Sequence, residues 1–283
     1  MNKDSLGDRM KTFYENIPKT HLTRRQPVII RIDGKAFHTF TRGFQRPFDD
    51  ILIESMQETM KYLCENIQGC KMGYCQSDEI SLLITDYENI NTAAWFDYQV
   101  QKMCSIAASM ATLVFNRVFD KIVEDAEEDY ETFAPVVASI YTNPEKHKNW
   151  TKLIEAYRHS RKKGAMFDAR CFSIPKEEVC NYFQWRQMDC TRNSIQMVGQ
   201  ANFSHKELQN KKNEDIQEML FSQKGINWND FSTVEKRGSC CVKDFEKKVI
   251  NFQTQEEVTR KIWGIDKNIP IFSQDRNYIE RFV

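Results

Sequence analysis

The stretch that decides the fold reads Val28-Ile29-Ile30-Arg31-Ile32-Asp33-Gly34-Lys35-Ala36-Phe37-His38. A second stretch completes it and reads Gly73-Tyr74-Cys75-Gln76-Ser77-Asp78-Glu79-Ile80-Ser81-Leu82-Leu83-Ile84. Both contain short β-prone runs bounded by glycine and polar residues, which is typical of buried strands. Asp33 ends the first run, and Asp78 and Glu79 interrupt the second. The pattern predicts a strand that ends in a carboxylate and a hairpin whose turn carries two more.

These three carboxylates indicate a metal site. An ionised aspartate in apolar surroundings is costly unless a cation or a hydrogen-bond donor satisfies it. Mg²⁺ takes a few carboxylates and completes its coordination with phosphate oxygens and water. Gly34, directly after Asp33, lets backbone N–H groups approach a triphosphate closely. These are the parts of a two-metal phosphoryl-transfer site, but polar turns commonly have the same residues, and the residues alone do not decide between the two interpretations.

The two stretches resemble the signature of the tRNA-histidine guanylyltransferase family. Further motifs follow in the family's order: Arg46-Pro47, Phe167-Asp168-Ala169-Arg170, Trp185-Arg186-Gln187-Met188-Asp189-Cys190, and Lys212-Asn213-Glu214 leading to Leu220-Phe221-Ser222-Gln223-Lys224-Gly225-Ile226-Asn227. The resemblance covers about residues 5–245. It implies an α+β fold with a ferredoxin-like polymerase-palm core, in which an antiparallel sheet carries helices on one face. A palm-like core would span residues 1–175, and a helical and hairpin extension for oligomerisation and tRNA contact would span residues 176–283, or the two would form one continuous domain.

The resemblance also implies a reaction, namely template-dependent 3′-to-5′ addition of nucleotides to the 5′ end of tRNA. Addition would follow ATP-dependent activation of a 5′-monophosphate or start from a 5′-triphosphate, with ATP and GTP or other nucleoside triphosphates as substrates and two Mg²⁺ ions as cofactors. Asp33 and Asp78 would hold the ions with the Gly34 carbonyl, and Glu79 and Ser77 would assist catalysis. The implied nucleotide-binding residues are Gly34, Lys35, Ala36, Phe37, His38, Arg46 and Ser77. The implied contacts with tRNA or phosphate are Arg31, Lys102, Arg170, Arg186, Asn193, Lys236 and Arg237.

The chain departs from the family pattern in two places. Arg46 stands where the family has a lysine that takes part in nucleotide activation, and arginine is not equivalent to lysine at a phosphate. The family's His-Ile-Asn-Asn-Leu-Tyr-Asn is replaced by Thr191-Arg192-Asn193-Ser194-Ile195-Gln196-Met197, in which only Asn193 matches. The lost histidine favours the broader guanylyltransferase-like branch, which repairs truncated tRNA 5′ ends. Guanylate addition to histidine tRNA stays open.

Composition limits which surface could contact RNA and which cellular compartment we expect. The 40 basic residues balance the 40 acidic ones, so any RNA contact must come from a local patch. The nine cysteines show no regular framework and no zinc-type spacing, which indicates a reducing compartment. No apolar run approaches the roughly 20 residues that a membrane helix needs. We therefore expect a cytoplasmic protein without a membrane span, and the family implies a homotetramer.

Four more structural expectations concern the remainder of the chain. A long helix should run to about Val118, followed by an insertion at 120–165 that combines an acidic run, Glu124–Glu131, with basic loops at 143–150 and 158–163. These loops either contact a tRNA backbone or are plain surface loops. A further long helix should follow Pro175. Two β-prone pieces, at 231–235 and 239–242, should form a hairpin with the basic turn Lys236-Arg237-Gly238.

Two other functions remain as alternatives at this point. Nucleotide cyclases share the palm plan, but their Gly-Gly-Asp/Glu-Glu-Phe hairpin is absent from the sequence, where Ser77-Asp78-Glu79 stands instead. A tRNA-binding module without catalysis is the other alternative. The presence of all three carboxylates argues against it.

Overall fold

A six-stranded antiparallel sheet forms the centre of the described chain. The computed structural model describes residues 5–140, 144–250 and 257–283. The strands are β1 (Val28–Gly34), β2 (Cys70–Gln76), β3 (Glu79–Ile84), β4 (Phe167–Ser173), β5 (Ser239–Ile250) and β6 (Glu257–Asp266). The α-helices are α1 (Ser5–Met10), α2 (Phe37–Phe40), α3 (Asp50–Asn66), α4 (Val100–Ile140), α5 (Pro144–Lys163), α6 (Lys176–Asn202), α7 (His205–Leu208), α8 (Asn213–Lys224), α9 (Thr233–Arg237) and α10 (Asn277–Glu280). The predicted α+β fold class with an antiparallel sheet is confirmed.

The order of the strands determines which polar residues become neighbours. The order is β4-β1-β3-β2-β5-β6, so β1 lies between β3 and β4. In this register Asp33 lies opposite Glu79 on β3 and opposite Asp168 on β4. Directly opposed residues of antiparallel strands project from the same face. The sheet therefore presents three carboxylates in a row across its three neighbouring strands.

Alternation along β1 divides the core into two layers. Val28, Ile30 and Ile32 are fully buried in a cluster with residues of α3 and α4, whereas Ile29 belongs to a second cluster with residues of α6 and the C-terminal segment. This is the period of two that a strand imposes on its side chains. Helices α3 and α4 cover one face of the sheet, and α6 covers the other. Asp33 has the same parity as Ile29 and so lies on the face beneath α6.

Residues 120–140 and 144–163, within the expected insertion, are helical, so the prediction of basic loops there was wrong. Helix α4 continues to Ile140, and α5 follows as an antiparallel partner. Residues 141–143 lie outside the described chain. Two glutamates of the acidic run, and Asp120 before it, face arginines of α5: Arg158 Nε lies 3.1 Å from Glu127, and Arg161 lies 3.3 Å from Asp120 and 2.5 Å from Glu124. Because the two charge runs neutralise each other across the helix pair, neither needs to be a solvated loop.

The predicted hairpin between residues 231–235 and 239–242 was also wrong. Residues 233–237 form helix α9 instead of a strand, since Ser232 accepts the Glu235 N–H and Glu235 accepts the Ser232 N–H in a capping box. Lys236 and Arg237 therefore lie on a helix rather than in a hairpin turn. The real hairpin consists of β5 and β6, and the residues at 251–256 that connect them lie outside the described chain.

Strand β5 also pairs with β2, at the edge of the sheet that β1 to β4 form. Cys240, Cys241 and Val242 pair with β2, so residues beyond 176 extend the same sheet as the first half of the chain. The described helices include none that is long and apolar enough to cross a membrane.

Candidate active site

The turn of the β2–β3 hairpin is held against the end of β1. Gln76 pairs with Glu79, which leaves Ser77 and Asp78 as a two-residue turn, so the prediction that Glu79 lies in the turn was wrong and Glu79 begins β3. Ser77 has φ of 48°, a left-handed conformation that is uncommon for a residue with a side chain. The Ser77 hydroxyl donates to the Asp78 carboxylate at 3.1 Å, and the Asp78 carbonyl accepts the Gly34 N–H at 3.0 Å. The two motifs predicted to form one site are therefore joined by a backbone hydrogen bond.

The carboxylates of the row have different partners. Arg186 on α6 donates from Nε and Nη2 to the two oxygens of Glu79, both at 2.7 Å. Arg170 on β4 donates to Asp168 at 2.9 Å and lies 3.9 Å from Asp33. Both oxygens of Glu79 are therefore engaged in a buried ion pair, whereas among the described cations Asp33 meets only Arg170, at 3.9 Å. Sequence reasoning missed Asp168, although it stands in one of the quoted motifs and in register with Asp33.

Asp78 carries an electrostatic penalty in this setting. Burial raises the pKa of Asp78 above its ordinary value, and the charges of Asp33 and Glu79 raise it further. A hydrogen bond from the backbone and one from Ser77 oppose the rise only in part. A bound cation would relieve this penalty, because it favours the ionised form.

The donor set suits magnesium that is shared with a substrate. Within the described residues, no group of three or more His, Cys, Asp and Glu side chains could hold a metal ion. Mg²⁺ is commonly bound by one or two carboxylates together with phosphate oxygens and water. The pair formed by Asp33 and Asp78, whose charges repel each other, fits that kind of site. It does not resemble a closed structural metal site.

A cavity of about 610 Å³ opens beside the turn. Seven residues of the predicted site line it: Gly34, Ala36, Phe37, His38, Arg46, Ser77 and Asp78. The lining does not include Lys35, nor Asp33 and Glu79, which belong to the adjacent row. The volume lies in the range of small-molecule sites. Most of the residues that were predicted to bind a nucleotide are thus brought to one cavity.

The backbone after β1 presents free donors to this cavity. Gly34 and Lys35 use their N–H groups within the protein, on the carbonyls of Asp78 and Met166. The N–H groups of Ala36, Phe37 and His38 have no acceptor among the described residues. Ala36 adopts a left-handed conformation, with φ of 53°, and turns the chain into α2. The donors available to an anion are therefore a shorter set than the predicted stretch from Gly34 to His38.

Helix α6 supplies a wall that sequence reasoning missed. Met197 and Gln200 line the cavity from α6. They are three residues apart and therefore share one face of the helix. The signal was present in the sequence, because Met197 ends the segment in which the family pattern is lost. Arg186, earlier on the same helix, fixes α6 to the row of carboxylates.

Helix α5 supports the wall of the cavity that contains Asp49. Asp49 is buried and lines the cavity, where it caps α3 by accepting the Leu52 N–H and also accepts the Gln45 N–H, both at 2.9 Å. Tyr157 of α5 donates its hydroxyl to the same carboxylate at 2.7 Å. Burial, together with the charge of Asp49, raises the pKa of Tyr157. Helix α5 therefore supports the loop that carries Arg46.

None of the seven residues predicted to contact RNA or phosphate lines the cavity; Arg170 and Arg186 belong to the carboxylate row, and the other five lie elsewhere. The Lys102 ammonium lies 4.9 Å from the centre of the Phe96 ring, near the start of α4. That part of α4 contacts Cys171, three positions beyond Asp168 along β4. Arg31 has a buried Nε without a partner among the described residues. Asn193 is exposed on α6, and Lys236 and Arg237 lie on α9.

Comparison with known proteins identifies the family. The model of the tRNAHis guanylyltransferase family matches residues 7–175, and the model of its C-terminal domain matches residues 177–271. A tRNA(His) guanylyltransferase of Debaryomyces hansenii is 27% identical over 243 residues, which cover 81% of this chain and 76% of that protein.

Two solved structures resemble the whole described fold. A bacterial tRNA(His) guanylyltransferase-like protein in complex with ATP is 42% identical, with a TM-score of 0.75 and coverage of 99% of both chains. A second structure of this kind, in complex with GTP, is 39% identical, with a TM-score of 0.71 and the same coverage. The predicted palm-like core is confirmed by this likeness. The chain belongs to the tRNAHis guanylyltransferase family, a family of nucleotidyltransferases.

Proposed function

We propose that this protein adds nucleotides in the 3′-to-5′ direction to the 5′ end of tRNA, and that the opposite strand of the tRNA selects each nucleotide by base pairing. The observation that carries the proposal is the cavity of about 610 Å³ in which the β1 motif and the Ser77–Asp78 turn meet. The guanylyltransferase-like proteins bound to ATP and GTP support nucleoside triphosphates as substrates. Template pairing makes direct base readout by the protein unnecessary, so backbone and shape recognition suffice.

The nucleotide phosphates would be held at the start of α2. The unpaired N–H groups of Ala36, Phe37 and His38 offer donors to phosphate oxygens, and Arg46 adds a charge at the same cavity. Gln200 offers an amide that can both donate and accept, on the wall formed by α6. These groups bind and orient the triphosphate in a position next to the carboxylate row.

Asp33 and Asp78 would hold two Mg²⁺ ions together with the Gly34 carbonyl. When bound, these ions neutralise charge on the reacting phosphates and promote displacement by a hydroxyl nucleophile. Ser77 holds Asp78 through its hydroxyl, and Glu79 acts on the site by orienting α6 through Arg186. In the proposed reaction the 3′-hydroxyl of the incoming nucleotide attacks the 5′ end of the tRNA, with pyrophosphate leaving a 5′-triphosphate end or AMP leaving an adenylylated end.

We further propose that repair of truncated 5′ ends is the main activity, because the family's His-Ile-Asn-Asn-Leu-Tyr-Asn motif is replaced at 191–197. A cytoplasmic homotetramer is part of the same proposal. All nine cysteines are free, which supports a reducing compartment. Sedimentation of the purified protein measures the oligomeric state.

The test is nucleotide addition to a tRNA transcript that lacks its first 5′ nucleotide. The transcript carries a 5′-monophosphate or a 5′-triphosphate and is incubated with Mg²⁺, ATP and each nucleoside triphosphate in turn. We expect addition of the nucleotide complementary to the facing base, and its loss in Asp78→Ala. Asp275→Ala, which removes an exposed aspartate elsewhere, serves as the matched control and should remain active.

Other results would contradict the proposal. Tight tRNA binding without addition to either 5′ end would indicate a binding module. A cyclic nucleotide formed from ATP or GTP in the absence of RNA would indicate a cyclase.

A further inference from the structure

A second cavity, of about 320 Å³, lies between α5 and the segment that follows α2, residues 41–49, which we call the α2 loop. It is lined by Thr39, Arg42, Lys152, Glu155, Ala156 and His159, and we call it the α5 groove. Arg42 also lines the cavity of about 610 Å³. One arginine is therefore common to the groove and to the proposed nucleotide site, and a ligand chain that leaves the nucleotide site can enter the groove directly.

The charges of α5 are divided between two faces. Arg158 and Arg161 meet the acidic run of α4 and are neutralised there. Lys152 and Arg42, in contrast, form no ion pair with any described residue, and the α5 groove contains one carboxylate, Glu155. The groove thus holds two permanent cations against one carboxylate, in a chain whose formal net charge is zero. The basic side chains of the α5 groove are thus available to an anion from outside the chain.

The α5 groove also has a fixed shape. Ala156 packs so closely on the α2 loop that a Cβ added to Gly43 would lie 3.0 Å from the Ala156 Cβ. Ser160 donates its hydroxyl to the Phe40 carbonyl at 2.5 Å, and Tyr157 bonds Asp49. These contacts tie α5 to both ends of the loop that carries Arg42. Cations held on such a support lose less freedom when they bind a ligand than cations on a mobile loop.

We propose that the α5 groove binds phosphates of the RNA chain beside the nucleotide site. The inference rests on the proposed function, because it takes RNA as the substrate whose end enters the neighbouring cavity. Arg42 and Lys152 form the phosphate contacts, and Glu155 weakens them by repulsion. Helix α5 then supports the nucleotide site through Tyr157 and contacts the RNA backbone through Lys152.

Three single-charge variants on α5 test the proposal: Lys152→Gln, Glu155→Gln and the control Lys162→Gln. The affinity for the truncated tRNA transcript is measured across a series of salt concentrations. Each phosphate contact adds about 0.7 to 1 to the slope of log affinity against log salt. We expect Lys152→Gln to weaken binding and lower the slope by one such step, whereas Glu155→Gln tightens binding. Lys162, which is exposed on the face where Asp120 and Arg161 also lie, should have no effect.

The opposite signs of the two effects exclude a general loss of structure, and the melting temperatures of the three variants serve as a further check. Unchanged affinity and slope in Lys152→Gln would overturn the proposal, even if nucleotide addition is observed. A loss of ATP affinity in Lys152→Gln that equals its loss of RNA affinity would also overturn it, since the α5 groove would then serve the free nucleotide. If addition fails but the opposite effects on RNA affinity remain, the inference stands and the proposed reaction is wrong.

Discussion

Arg186 on α6 and Glu79 on β3 form a buried ion pair with two parallel hydrogen bonds, from Nε and Nη2, each of 2.7 Å. Arg186 also donates to Asp189 at 3.0 Å. Burial disfavours the charged form of Arg186, but the hydrogen bonds and charge of Glu79 outweigh burial and raise its pKa. The pair fastens the helix that carries Met197 and Gln200 to the hairpin that carries Asp78. The relative position of two walls of the candidate site therefore depends on one ion pair.

Replacing Arg186 by methionine should destabilise the protein strongly, because it leaves the Glu79 carboxylate buried without its cation. Removal of one partner of a buried pair costs about 3 to 5 kcal/mol. Urea denaturation measures the free energy of unfolding. The double variant Arg186→Met/Glu79→Gln should recover part of the loss, since the uncompensated charge is then gone.

Arg192→Met is the matched control for this prediction. Arg192 also bonds Asp189, but its side chain is 65% exposed, against 7% for Arg186. Exposed pairs contribute about 0 to 1 kcal/mol. Equal losses of stability for the two arginine variants would show that the ion pair with Glu79 has no special structural role.

Asp78→Asn should stabilise the metal-free protein at neutral pH. Burial is the main cause of the raised pKa of Asp78, and the neighbouring Asp33 and Glu79 add to it. A carboxyl whose pKa is higher in the folded state makes folding less favourable as the pH rises from its unfolded value through its folded value. Melting curves in the presence of a chelator should therefore give a higher melting temperature for Asp78→Asn at pH 8 than for the original protein.

The pH dependence of this difference is the check. The advantage of Asp78→Asn should shrink as the pH falls, because the original carboxyl then takes up a proton. Added Mg²⁺ and ATP should raise the melting temperature of the original protein more than that of the variant. An advantage that is constant with pH would show that the ionised Asp78 carries no penalty.

Tyr157→Phe should weaken both the fold and the nucleotide site. The variant removes the 2.7 Å hydrogen bond to the buried Asp49 carboxylate, and hydrogen bonds to charged groups contribute about 1.5 to 3 kcal/mol. Because Asp49 also holds the Gln45 N–H, we expect the loop before Pro47 to loosen and ATP affinity to fall. Tyr62→Phe is the control, since Tyr62 is partly exposed and its hydroxyl bonds no described residue. Equal ATP affinities in the two variants would contradict this role of α5.

Sequence reasoning located the strands and the carboxylates because their signals are local. The period-two burial of β1 and the hairpin of β2 and β3 both follow from short stretches, although the turn was predicted one residue too late, at Asp78 and Glu79 instead of Ser77 and Asp78. Helix α3 likewise buries Met56, Met60 and Leu63, which recur along the chain at helical spacing. The family resemblance added the pairing of the two motifs, which no local pattern contains.

The errors arose where distant residues compensate each other. The acidic run of α4 resembles a solvated segment until Arg158 and Arg161 are placed against it, and those arginines lie more than thirty positions away. Asp168 joins the carboxylate row only through the register of β1 and β4, which cannot be derived from the sequence of either strand alone. The capping box from Ser232 to Glu235, in contrast, could be recognised in the sequence. It outweighs the β-propensity of Thr233 and Val234.

Gly34→Ala should displace the loop after β1. A Cβ at this position would lie 2.2 Å from Cδ2 and 2.5 Å from Cε2 of the Phe37 ring. The ring cannot move freely, because it packs at 5.1 Å from the centres of both the Phe40 and the Phe167 rings. Overpacking of this kind costs about 1 to 3 kcal/mol. Since Phe37 lines the cavity, we expect ATP affinity to fall as well.

Two further variants isolate the cause. Gly225→Ala places a Cβ where no atom lies within 4 Å and strains only the backbone, at φ of 66°, so it should lower stability without changing ATP affinity. Adding Phe37→Leu to Gly34→Ala removes most of the ring that the new Cβ meets. The double variant should therefore be more stable than the sum of the two single effects predicts. Strict additivity in urea denaturation would show that the glycine is needed for a reason other than the approach of Phe37.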